Sequence, residues 1–122
     1  MRYYMITHRT TNRTAIDIVI ANSEASALDG MTRDDGEILV TPLCGVGDRV
    51  EGGDTPEDYD TGRVLAIGET VYELAPSARE HGVLWPVLVA WDSGIRTVEE
   101  ALALRAEGDA PPEMREETSA TV

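Results

Sequence analysis

Val87-Leu88-Val89-Ala90-Trp91, followed by Asp92-Ser93-Gly94, constrains the fold more than any other stretch of the chain. Val87, Val89 and Trp91 alternate with Leu88 and Ala90, and both sets are apolar. A strand apolar on both faces belongs inside a sheet, covered from two sides. Asp92-Ser93-Gly94 has the residue types of a tight turn, and Ile95-Arg96-Thr97-Val98 reads as the returning strand. The rest of the chain is expected to be organised around this hairpin.

Upstream, Arg2 to His8 reads as a strand rich in Tyr and Ile, and Thr10 to Arg13 as a turn. Ala15 to Ala21 reads as a second strand with Ile16, Ile18 and Ile20 on one face. Asn22-Ser23 can cap a short helix over residues 24–28, with Gly30 placed to end it. A third strand over residues 37–41 is expected to stop at Pro42. Residues 1–42 are therefore a β-β-α-β unit. Next come short strands at Asp48 to Glu51 and at Thr61 to Ile67, separated by an acidic loop. Thr70 to Leu74 is expected to be extended, Pro76 to Gly82 to hold one helical turn, and Glu99 to Ala106 to be helical. Residues 109–122 hold Pro111-Pro112 and mostly charged and small residues, and are expected to form a disordered acidic tail.

The fold class expected is mainly β (α+β). Phe is absent, so the bulk of the core must come from Trp85, Trp91, the four Tyr and the aliphatic residues. Cys44 is alone, which excludes a disulfide framework. Cys44, His8 and His81 lie on separate elements and form neither a nucleophile–base motif nor a zinc ligand set. The expectation is a protein that is not an enzyme and uses no cofactor or metal. No run is long enough to span a bilayer, and the N-terminus is too short and polar for a signal peptide, so a cytoplasmic location is expected.

Charge narrows the function classes. The net charge is −13, and all ten cationic residues are Arg. Such acidity opposes direct binding of nucleic acid through phosphate. Acidic residues concentrate between Asp48 and Asp60 and again between Glu99 and Glu117.

Gly47-Asp48-Arg49-Val50, Asp60-Thr61-Gly62-Arg63-Val64 and Val87 to Gly94 together resemble the SH3-like small barrels of the KOW, Tudor and Mib/Herc kind. The resemblance covers residues 45–104 and implies a barrel over residues 43–108, with a long acidic loop after its first strand. It also suggests an aromatic cage from Tyr59, Tyr72, Trp85 and Trp91 walled by Asp92, although the alternation around Trp91 assigns that residue to the core. Small acidic proteins of phages and mobile elements that block CRISPR or restriction nucleases are similar in size and charge, without a shared motif.

The expected function is a non-catalytic, acidic protein-binding module. It would act as an inhibitor of the anti-CRISPR or anti-restriction type, docking carboxylates on a basic, nucleic-acid-binding surface of a host defence protein. The contact residues expected are Glu51, Asp54, Glu57, Asp58, Tyr59, Asp60 and Trp85. The alternative is an accessory SH3-like module that binds a peptide or sister subunit through aromatic and apolar groups.

Overall fold

The computed structural model describes residues 1–29, 36–53 and 55–108. It is mainly β, with two antiparallel sheets and a few short helices. Asp54, the tail at residues 109–122 and Gly30, expected to end the short helix, lie outside the described residues.

The first sheet has the order β2-β1-β3, from β1 (Arg2–Arg9), β2 (Thr14–Ala21) and β3 (Glu37–Gly45). Alternation sorts its side chains. Tyr4 and Ile6 on β1 gather Ala21 and Ala27 into one apolar cluster, against which Val19, Ile38 and Val40 pack. Ala27 belongs to α1 (Glu24–Ala27), a single turn whose cap is Ser23. The Ser26 amide donates to the Ser23 hydroxyl oxygen at 3.1 Å, satisfying an otherwise orphaned helix donor. β3 runs through Pro42 to Gly45 instead of stopping. It is an edge strand, where a residue without N–H is tolerated, and its pairing shifts register between Arg2 and Tyr4.

The second sheet has the order β7-β6-β5-β4-β8. Its strands are β4 (Arg49–Gly52), β5 (Asp60–Ile67), β6 (Pro86–Trp91), β7 (Arg96–Glu100) and the two-residue β8 (Arg105–Ala106). β6, the strand of the opening hairpin, is paired with β5 on one side and β7 on the other. Val87 and Val89 are fully buried and form a core with Val50, Val64, Ile67 and Ala101.

Two segments depart from expectation. Residues 69–74 are helical, as α2 (Glu69–Leu74), and α3 (Pro76–Glu80) follows. The β-branched and aromatic Thr70-Val71-Tyr72 run suggests a strand, but Gly68 at φ 67° turns the chain, and one helical turn then buries Val71 completely. Residues 99–106 are not an α-helix. β7 continues to Glu100, a 3₁₀ turn spans Ala101–Ala103, and Arg105 pairs with Glu51 in β8. Burial of Ala101 and pairing with β4 override helical propensity.

Tyr3 joins the sheets. Its ring leaves the first sheet and sits in the core of the second, 1% exposed. Its hydroxyl donates to Pro86 O at 2.9 Å and accepts from the Gly68 amide at 3.1 Å. Arg2 adds a second tie, donating to Leu43 O at 2.9 Å and to the Asp48 carboxylate at 2.8 Å. No helix among the described residues is long and apolar enough to cross a membrane.

Burial pushes the Tyr3 hydroxyl from 10.0 up to about 12, against a smaller opposing effect of the Gly68 amide. The folded state therefore disfavours ionised Tyr3, and this contribution is intact below pH 10.0 and lost as the pH rises toward about 12. Tyr3→Phe is expected to cost about 1–3 kcal/mol, because Pro86 O and the Gly68 amide lose a buried partner. The stability gap between wild type and variant should close across that alkaline window. Equal melting temperatures at neutral pH would show that the bridge contributes nothing.

Candidate functional site

The face of the second sheet that carries Val89 continues toward the β6–β7 turn and changes character. Val89 pairs with Thr97 on β7 and with Val64 on β5, and Trp91 pairs with Gly62. Directly opposed residues share a face, so Gly62, Val64, Val89, Trp91 and Thr97 lie together, with Glu99 two residues beyond Thr97. On β4, Gly52 opposes Asp60 on this same face.

The indole of Trp91 lies across Gly52. A Cβ there would stand 2.6 Å from the indole Cη2, so only glycine leaves room. Trp91 is half-buried, packing on the Tyr3–Val89 core and also lining a cleft. Its Nε1–H donates to Thr97 Oγ1 at 2.6 Å, and that hydroxyl donates to Glu99 Oε2 at 2.8 Å. The relay fixes the indole plane and orients the carboxylate.

The result is a cleft of about 240 Å³ with Trp91 as its floor and Asp58, Asp60 and Glu99 among its walls. Asp60 Oδ1 accepts from the Thr61 amide at 2.8 Å. Asp58 Oδ2 accepts from Thr55 Oγ1 at 3.1 Å, in a turn closed by the Asp58 amide donating to Thr55 O. None of the three carboxylates makes an ion pair among the described residues, and no Arg lines the cleft. Carboxylates that share a cleft with an indole suit a cationic side chain, held by charge and by the ring quadrupole.

Asp92 and Glu107 are already engaged. Arg49 bridges Asp92 and Glu107, donating to Asp92 Oδ1 at 3.0 Å and to Glu107 Oε2 at 2.7 Å. Hydrogen bonds from Arg49 and Thr61 hold the Asp92 carboxyl down at about 2, so Asp92 is a structural anion and no cage wall. Burial pushes the Cys44 thiol up to about 11, which keeps it protonated and inert at neutral pH.

The expected contact residues separate. Asp58 and Asp60 line the cleft, Glu57 is exposed on the same loop, and Tyr59 is half-buried between them. Glu51 is a correction, since it is 0% exposed and unavailable to any partner. The Gly108 amide donates to its Oε1, and Arg105 Nε stands 3.9 Å from Oε2. Trp85 is 37% exposed but precedes β6, whereas Trp91 ends it, which separates them by about 20 Å of extended chain. Tyr72 is also committed elsewhere, with its hydroxyl donating to Val83 O and Arg79 stacked 4.3 Å over its ring. The four-residue cage is therefore not assembled. Glu99 joins the site although sequence reasoning placed it in a helix. The β-alternation of Thr97 and Glu99 with Trp91 was the available signal.

No family model, curated protein or solved structure matches this chain.

Truncating the fully buried Glu51 leaves the Gly108 amide without its acceptor and costs about 1–3 kcal/mol, whereas exposed substitutions stay within about 0.5 kcal/mol. Glu51→Ala is therefore expected to lower the denaturation midpoint strongly and Glu57→Ala hardly at all. Similar midpoints for the two variants would show that Glu51 is not the buried anchor described here.

Proposed function

We propose that the chain is a non-catalytic binding module that receives a basic side chain of a partner protein in the Trp91 cleft. The observation that carries this reading is that Asp58, Asp60 and Glu99 line one cleft with Trp91 and no Arg lines it. A partner's Arg or Lys entering there gains charge-assisted hydrogen bonds and a cation–π contact together. Exposed Glu57 extends the acidic rim. The overall charge of −13 adds long-range attraction toward basic surfaces.

A surface built to bind nucleic acid is the partner type with the required density of Arg and Lys. On this reading the protein acts in the cytoplasm as an acidic inhibitor of a nucleic-acid enzyme, of the anti-CRISPR or anti-restriction type. The five-stranded sheet with its β6–β7 hairpin is in keeping with the SH3-like resemblance on which this reading leans. The second reading, docking of a peptide or sister subunit through apolar groups, is favoured by exposed Trp85 and Leu84, outside the cleft.

The test combines Asp58→Asn, Asp60→Asn and Glu99→Gln, which keep shape and remove three charges. Partners captured from the source cell at low salt should be lost by the triple variant and by wild type at high salt. Short duplex DNA should compete with the protein for the captured partner. In a Trp85→Tyr background, an Arg-rich peptide should alter Trp91 emission in wild type and leave the triple variant unchanged. Salt-insensitive capture that survives the triple variant would move the site to the Trp85 surface.

A further inference from the structure

A sheet edge presents unpaired amides and carbonyls, and proteins normally protect it with short strands, charges, proline or bulges. Among the described residues the two sheets have four edges, at β2, β3, β7 and β8. β3 carries Pro42 and a register shift. β7 presents Arg96, Glu99 and Glu100, and β8 is two residues long. β2 has only one of these devices, the charge of Asp17. Its eight residues, Thr14-Ala15-Ile16-Asp17-Ile18-Val19-Ile20-Ala21, run in regular register and carry one charge.

The phase of the β1–β2 ladder shows which groups β2 leaves over. In the connecting turn the Thr10 amide donates to Arg13 O at 2.9 Å, and pairing then runs unbroken from Arg9–Thr14 to Arg2–Ala21. Hydrogen-bonded and non-hydrogen-bonded pairs alternate in an antiparallel ladder. Ala15, Asp17 and Val19 therefore direct their amides and carbonyls to β1, while Ile16, Ile18 and Ile20 direct theirs outward.

We propose that β2 is a homodimerisation edge: two copies of this chain pair β2 antiparallel about a twofold axis through Ile18, forming one continuous six-stranded sheet. The sequence of β2 is self-complementary in that register. Ile18 opposes the partner's Ile18, Ile16 opposes the partner's Ile20, and all three outward-directed residues find main-chain partners. Asp17 opposes the partner's Val19. An axis through Asp17 would set two carboxylates against each other, which opposed strands disfavour. An axis through Val19 would run Ile16 past the end of the partner's β2.

Surface and charge agree with this assignment. Ile16 is 60% exposed and Ile20 38%. Leu39, 59% exposed, continues the same row across Thr7. Pairing merges the two isoleucine rows into one band. A chain of charge −13 ordinarily repels its own copy, but the charge is unevenly placed. Among the described residues, 1–45 hold three Arg against four Asp and Glu, a net of −1, whereas 46–108 hold five against twelve, a net of −7. The β2 edge is thus on the half where a second copy approaches with least repulsion. The Ile18 register also brings Arg13 of each copy beside the start of the partner's α1, with Glu24 in its first turn.

The test is sedimentation equilibrium of the full chain over a concentration series, with Ile16→Pro as the variant. Proline at Ile16 removes an outward amide and leaves the β1 ladder whole, so the variant should fold with wild-type circular dichroism. Wild type should approach twice 13.2 kDa and Ile16→Pro should stay at 13.2 kDa. In a Cys44→Ser background, Ile18→Cys should form an inter-subunit disulfide under mild oxidation, because opposed hydrogen-bonded residues have Cα atoms about 5.5 Å apart. Ile16→Cys, four positions from its own copy, should not. Wild type remaining at 13.2 kDa at all concentrations, or a dimer indifferent to Ile16→Pro, would overturn the assignment. A dimer with cross-linking at Ile16 and none at Ile18 would overturn the register and the proposal with it.

Discussion

The Tyr3 hydroxyl holds the two sheets in one register, and the remaining architecture follows from it. It is the donor to the first residue of β6 and the acceptor of the amide that turns the chain into α2. Its ring fills a core otherwise made of small aliphatic side chains. In a chain without Phe, an aromatic that must bury itself there brings a hydroxyl with it. The Gly68 amide and Pro86 carbonyl are the groups that make this burial tolerable.

Acidity in this protein has two uses that composition alone does not separate. Asp48, Glu51 and Asp92 are spent on Arg2, Arg105 and Arg49, and they tie together strands far apart in sequence. Arg suits this role because its fork can satisfy several acceptors at once. Arg49 reaches Asp92, Glu107 and Thr61. What is left around Trp91 is a smaller set of carboxylates, and only that set carries an argument about partners.

The strands were legible because their alternation is strong. β1, β2, β5 and the β6–β7 hairpin each follow from apolar spacing and turn residues. Three features were not legible, each for a non-local reason. Glu51 looks like its acidic neighbours, and only the arrival of Arg105 in β8 buries it. Thr70 to Leu74 has strand-like residues, but the turn at Gly68 and the burial of Val71 make it helical. Glu99 belongs to the cleft because β7 outlasts its apolar residues, whereas Glu-Glu-Ala-Leu-Ala-Leu reads locally as a helix. Of the cleft itself, Asp58 and Asp60 were visible in the acidic loop. Gly52, whose missing side chain makes space for the indole, had no signature beyond being a glycine after a strand.

Trp91 has a consequence for how occupancy and folding are coupled. One part of the indole closes the apolar core and another floors the cleft. Whatever settles on that ring meets a surface that exists only in the folded chain, so occupancy and melting temperature must rise together by mass action.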